Sequence, residues 1–127
     1  MSNNVFIVDD DLSVRNALSR LLRVAGYKVR AFACAEDFLD AVDSEMLGCI
    51  ILDLGLPGIT GEELGMKLKD RRDGIKIIIL SAVDNKETRR IAEGINAEGF
   101  FRKPVDGYAL IDAVNWSLKT FNQKNNH

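Results

Sequence analysis

Short apolar runs alternate with amphipathic stretches along the whole chain. Val5–Val8 is a compact run of β type. From Val14 the apolar positions fall at Val14, Ala17, Leu18, Leu21, Leu22 and Ala25, a stripe with the period of an α-helix. Gly26 follows where a helix commonly ends in a left-handed residue. Lys28–Phe32 predicts a second strand. Phe38, Leu39 and Val42 mark a helix from about Ala35 to Glu45. Cys49–Leu52 is continuously apolar and predicts a third strand. Leu54 to Gly61 holds Gly55, Pro57, Gly58 and Gly61, so it predicts a loop. A third helix is expected from Glu62 to Asp70, weakened by Gly65.

The second half repeats the alternation. Lys76–Leu80 predicts a strand buried on both faces. Asp84 to Ile95 predicts a polar helix anchored by Ile91 and Ile95. Gly99–Arg102 predicts a fifth strand, stopped by Lys103-Pro104. From Asp106 a last helix carries Leu110, Ile111, Val114, Leu118 and Phe121 on one side, with Trp116 roughly opposite. Trp116 is therefore either an exposed contact residue or a ring covered by the fourth helix or the tail.

Five β–α units predict an α/β domain with a parallel sheet covered on both faces. Right-handed crossovers restrict its topology, and ligands in such sheets sit beyond the carboxyl ends of the strands. A length of 127 residues suits one domain, set at residues 1–121 with a polar tail or linker at 122–127. A net charge of −2 argues against direct nucleic-acid binding by this domain. No apolar run is long enough to cross a membrane. The polar start lacks the basic and apolar parts of a signal peptide, so a cytoplasmic location is expected. The two cysteines, Cys34 and Cys49, are expected to be free thiols. His127 is the only histidine and is terminal, which removes histidine-based catalysis.

The carboxyl ends of the predicted strands carry the candidate chemistry. Strand one ends in Asp9, Asp10 and Asp11, strand three in Asp53, strand four in Ser81 and strand five in Lys103. Strand two ends in Ala33 and Cys34, without such a group. Clustered carboxylates raise one another's proton affinity unless a cation joins them. An all-oxygen set with no histidine or thiolate favours a hard cation, and Mg2+ fits best. A carboxylate beside Mg2+ can attack phosphorus and form an acyl phosphate, with an ammonium and a hydroxyl steadying the phosphoryl oxygens. Taken singly, Asp9 and Asp10 could be a solvated turn, Ser81 a turn or cap residue and Phe100 simple core. Asp11 is expected to cap the first helix. The glycines lack a nucleotide-binding spacing, and Lys67, Lys69, Arg71 and Arg72 suit a solvated helix end.

Four segments resemble the receiver domain of bacterial two-component response regulators. They are Ile-Val-Asp-Asp-Asp (7–11), Ile-Leu-Asp-Leu-Gly-Leu-Pro-Gly (51–58), Ile-Ile-Leu-Ser-Ala (78–82) and Phe-Phe-Arg-Lys-Pro (100–104). The resemblance covers Val5 to about Phe121. It implies a flavodoxin-like (βα)5 sandwich with strand order 2-1-3-4-5. It implies Asp53 as phosphoacceptor, and Mg2+ held by Asp10, by Asp9 chiefly through water, by Asp53 and by the Gly55 carbonyl. It implies that Ser81 and Lys103 bind the phosphoryl group, that Ser81 and Phe100 switch, and that Lys103-Pro104 is often cis. The implied donor is a sensor histidine kinase or phosphotransfer protein. The surface of helix four, strand five and helix five, where Trp116 could sit, is implied as an output or homodimer contact. Gly55 and Val83 offer no polar side chain at positions that tune phosphoryl loss in this family, and Phe100 has no hydroxyl. Two rivals stand beside this expectation: a phosphate-independent interaction module, and a small Mg2+-dependent aspartyl phosphohydrolase, for which Gly55 stands where a general acid is wanted.

Overall fold

The computed structural model describes residues 3–43, 46–70 and 74–125, with side chains through Lys119. The elements are β1 (Asn4–Val8), α1 (Leu12–Val24), β2 (Lys28–Phe32), α2 (Ala35–Ala41), β3 (Gly48–Asp53), α3 (Gly61–Lys69), β4 (Ile75–Ser81), α4 (Lys86–Gly94), β5 (Gly99–Arg102) and α5 (Gly107–Asn125). All four strand pairings are parallel, and the sheet order is β2-β1-β3-β4-β5. The expected five β–α units and the 2-1-3-4-5 order are therefore both present.

Strand alternation divides the core into two layers. Phe6, Val8, Ile50, Leu52, Ile77 and Ile79 point to one face, where Phe38 of α2, Leu64 and Leu68 of α3, and Ala92 of α4 cover them. Val5, Ile7, Cys49, Ile51, Ile78 and Leu80 point to the other, under Leu18 and Leu22 of α1 and Leu110, Val114 and Leu118 of α5. Every residue of β3 is buried, because that strand has a neighbour on each side and helices on both faces. Truncating Ile51, which is 1% exposed, to alanine is expected to cost about 2–5 kcal/mol.

Local capping sets several boundaries that periodicity misplaced. α4 begins at Lys86, not Asp84, because Asn85 and Thr88 form a reciprocal capping box. Its buried anchors are Ala92 and Ile95, while Ile91 is only half-buried. α3 begins at Gly61 through a capping box of Thr60 and Glu63. α2 ends at Ala41, since Val42 turns into extended backbone and is buried. Glu45, Arg71, Arg72 and His127, together with the Phe121 side chain, lie outside the described residues. In α1 the stripe is narrower than its pattern, with Leu18 and Leu22 buried and Ala17 and Ala25 exposed. Asp11 caps α1 as expected, accepting from the Ser13 and Val14 amides, and Gly26 follows in the left-handed region at φ +100°. The backbone of α5 continues through Asn125, into residues whose polar composition suggested a tail.

Gly65 has a positive role that propensity alone hid. A Cβ there would stand 2.6 Å from Ile95 Cδ1, so its absence lets α3 and α4 close over that buried side chain.

Candidate functional site

The sheet order brings the ends of β1, β3, β4 and β5 together. Asp9 follows β1, Asp53 ends β3, Ser81 ends β4 and Lys103 follows β5. Backbone bonds fix these ends against one another. The Lys103 amide donates to the Ser81 carbonyl at 2.8 Å, and the Leu54 amide donates to the Leu80 carbonyl at 3.2 Å. The Lys103–Pro104 peptide is cis.

Lys103 joins the two buried acids. Its Nζ lies 2.7 Å from Asp9 Oδ2 and 3.5 Å from Asp53 Oδ2. Asp53 Oδ1 accepts the Gly55 N–H at 3.0 Å. Asp9 Oδ1 accepts the Asp11 N–H at 2.9 Å. Arg15, which no sequence motif singled out, donates from Nη1 to the Asp9 carbonyl at 2.9 Å and braces the loop that carries the acids.

The cluster holds more negative charge than it neutralises. Asp9 is 1% exposed and Asp53 is 6% exposed. Burial first, and then the Asp9 charge, push the Asp53 carboxyl above its ordinary value, and the Gly55 amide and Lys103 offset this only in part. Burial opposes the Lys103 ammonium, but the Asp9 and Asp53 carboxylates outweigh it and raise its pKa. The pairing of Lys103 with Asp9 Oδ2 is short but off the hydrogen-bonding direction, so that buried oxygen has no aligned donor. Carboxylate oxygens of Asp9, Asp10 and Asp53 lie within 4.8 Å of one another. Three clustered carboxylates that share a single ammonium fit a small hard cation such as Mg2+.

The remaining residues take distinct places. Ser81 is buried, and its hydroxyl donates to the Val83 carbonyl at 2.7 Å and accepts the Val83 amide at 3.1 Å. That is a turn serine's arrangement, next to the cluster but engaged with its own loop. A Cβ on Gly55 would stand 3.6 Å from Asp53 Oδ1, so this side of the carboxylate carries no screening side chain. Val83 is exposed and apolar. Phe100 is half-buried against the core layer that includes Ile79 and Ala92, with the Arg89 guanidinium over its ring. Trp116 is 63% exposed, opposite the buried Leu110, Val114 and Leu118. Cys34 caps α2 and Cys49 is buried in the core, both as free thiols. No helix among the described residues is long and apolar enough to cross a membrane.

Known proteins share this arrangement. The family model of the response regulator receiver domain matches residues 5–115. The transcriptional regulatory protein TdiR of Thauera aromatica is 38% identical over 117 residues, covering 92% of this chain and 52% of that protein. FixJ of Bradyrhizobium diazoefficiens is 31% identical over 116 residues, covering 91% and 57%. The chain thus spans about half the length of these relatives. Among solved structures, response regulator StyR superposes with a TM-score of 0.89 at 37% identity, over 99% of this chain and 64% of that one. A CheY-like receiver domain protein from Methanospirillum hungatei gives a TM-score of 0.89 at 25% identity, over 98% and 99%. With the four strand-end groups gathered at one edge of a 2-1-3-4-5 sheet, the chain belongs to the response regulator receiver domain family.

Proposed function

We propose that this receiver domain accepts a phosphoryl group on Asp53, from the phosphohistidine of a sensor histidine kinase or phosphotransfer protein. One observation carries the assignment. Asp53 ends the fully buried β3 with its carboxylate between the Gly55 N–H and the Lys103 ammonium, beside a second buried acid. In the transfer, an Asp53 carboxylate oxygen attacks phosphorus and forms the O–P bond. The P–N bond breaks, and the imidazole nitrogen leaves with the bonding pair. Lys103 meets the charge of the incoming phosphoryl oxygens.

Asp9, Asp10 and Asp53 would hold Mg2+, with the Gly55 carbonyl as a further oxygen ligand. When bound, Mg2+ supplies positive charge to carboxylates and phosphoryl oxygens that one lysine does not neutralise. Ser81 can serve the phosphoryl group only by releasing the Val83 carbonyl. That release is the local event from which Phe100 and the α4–β5–α5 surface, with Trp116 exposed on α5, would change and signal to an output domain or a second copy. A cleft of about 390 Å³, lined by Val14, Ala17, Leu18, Leu80, Pro104 and Val105 as well as Lys103, opens next to the site. An apolar surface there suits a protein donor better than a small phosphate ester.

Intact mass after incubation with acetyl phosphate, with and without Mg2+, tests the reading. The expected result is a Mg2+-dependent gain of one phosphoryl group in the wild type and none in Asp53→Asn. Equal uptake by the variant contradicts the assignment. Turnover of generic phosphate esters would favour the phosphohydrolase, although Gly55 has no acid to offer. No uptake and no beryllofluoride binding would favour the phosphate-independent module.

A further inference from the structure

Arg89 occupies a place that the proposed phosphoacceptor chemistry does not use. Its Nε and Nη2 donate to Asp84 Oδ1 and Oδ2 at 2.8 and 2.9 Å, a bidentate pair. The same guanidinium lies over the Phe100 ring, 4.2 Å from guanidinium carbon to ring centroid. Asp84 directly follows Val83, the residue that holds the Ser81 hydroxyl. Phe100 stands across the sheet from Ile79, two residues before Ser81. One cation therefore ties together the loop that follows Ser81, the helix after that loop and the ring on β5.

We propose that Arg89 is a positioning residue, a clasp that holds Phe100 and the β4–α4 loop in the arrangement in which Ser81 is turned on to Val83. This rests on the phosphoacceptor reading and names a regulator of that same site. The physical logic is a shared contact. If Ser81 leaves Val83 to bind a phosphoryl oxygen, residues 82–84 shift, and Asp84 draws the guanidinium with it. If Phe100 turns, the guanidinium loses the ring face. Each motion thus gives up a contact that only the present arrangement has, so the clasp weights the equilibrium toward the unphosphorylated form. Phe100 carries no hydroxyl, so its ring is held through its face and edges alone. Asp84 is well suited to keep its charge. Its carboxyl is held below the ordinary carboxylate range chiefly by the hydrogen bond from Arg89, with Arg102 of β5 adding to the pull.

The expected size is modest, because the Arg89 and Asp84 side chains are 57% and 34% exposed. An exposed cation–π contact is worth about a two- to fivefold change in an equilibrium, and an exposed ion pair no more. The test is titration with beryllofluoride and Mg2+, for wild type, Arg89→Gln, Asp84→Asn and the double variant. The expected result is an affinity two to five times higher in each single variant. The double variant should be no tighter than the better single one, since both remove the same clasp. Unchanged affinity in Arg89→Gln, or fully additive effects, would overturn the clasp. Absence of binding by the wild type would instead bring down the phosphoacceptor reading, and the clasp with it. A second readout does not depend on the site being loaded. The bond to Asp84 moves the Arg89 Nε–H proton resonance downfield and the Phe100 ring opposes that shift, so the resonance should move further downfield in Phe100→Leu. A resonance that stays in place in that variant overturns the proposal directly.

Discussion

Gly61 opens α3 immediately behind the Asp53 carbonyl, and Gly61→Ala puts the closeness of that packing to the test. A Cβ at this position would stand 2.4 Å from the Asp53 carbonyl oxygen and 2.6 Å from Leu54 Cα. Ordinary contact begins at 3.4 Å, so the end of β3 and the start of α3 must part by about 1 Å. The opposing atoms are backbone and cannot swing aside. Overpacking of this kind costs about 1–3 kcal/mol, and the upper half of that range is expected here. For a domain of this length about 2 kcal/mol lowers the melting temperature by roughly 8 °C. The site should suffer separately from the fold. A displacement of about 1 Å in a positioned reacting group can reduce a rate about a hundredfold. Thermal melting and the initial rate of Mg2+-dependent phosphorylation by acetyl phosphate, both at a temperature where the variant is folded, measure the two effects. Gly94→Ala is the control. Its Cβ would meet nothing within 4 Å, so it should melt higher, by up to about 1 kcal/mol in helix propensity, and phosphorylate normally. A Gly61→Ala protein as stable and as fast as the wild type would refute the packing described around Asp53.

Other outcomes follow from the same geometry. Asp11→Ala removes the acceptor for the Ser13 and Val14 amides and should cost about 1 kcal/mol, near 4 °C in melting, without changing phosphorylation. Asp53→Asn should melt higher than the wild type in chelator at neutral pH. The Asp53 carboxyl is raised in the fold, so its favourable contribution is complete below the ordinary aspartate value and is lost as pH rises through the raised one. The difference should therefore shrink on acidification and also on adding Mg2+, and a gap that is constant in pH would refute this account. Cys49 is fully buried and its thiol is pushed far up by burial. Ellman's reagent on the native protein should modify Cys34 alone, with Cys49 reacting only after unfolding.

The layout of the site was legible because parallel βα topology converts linear sequence into spatial proximity. Asp9, Asp53, Ser81 and Lys103 lie far apart in the chain, yet each stands at a strand's carboxyl end, and the sheet order places those ends side by side. The apolar runs of β3 and β4 were equally plain, since burial on both faces leaves no polar alternation. Local competition hid the rest. Asp84 and Asn85 are both good caps, and only the reciprocal bonding of Asn85 with Thr88 leaves Asp84 free to meet Arg89. Gly65 is unfavourable by propensity, yet a Cβ there would crowd Ile95, a contact that only the facing residue reveals. The bracing of Asp9 by Arg15 and the hold of Arg89 on Phe100 use long, flexible side chains whose partners no local pattern encodes. Ser81 shows the same limit. Its position at the carboxyl end of β4 sets it beside the acids, while its hydroxyl serves the backbone of Val83.

The most direct measurement locates the phosphoryl group. After treatment with acetyl phosphate and Mg2+, borohydride reduction converts an aspartyl phosphate to homoserine, and peptide mass spectrometry gives its position. Homoserine is expected at Asp53 and at no other aspartate. Homoserine at Asp9 or Asp10, or a stably phosphorylated protein with none at Asp53, would contradict it.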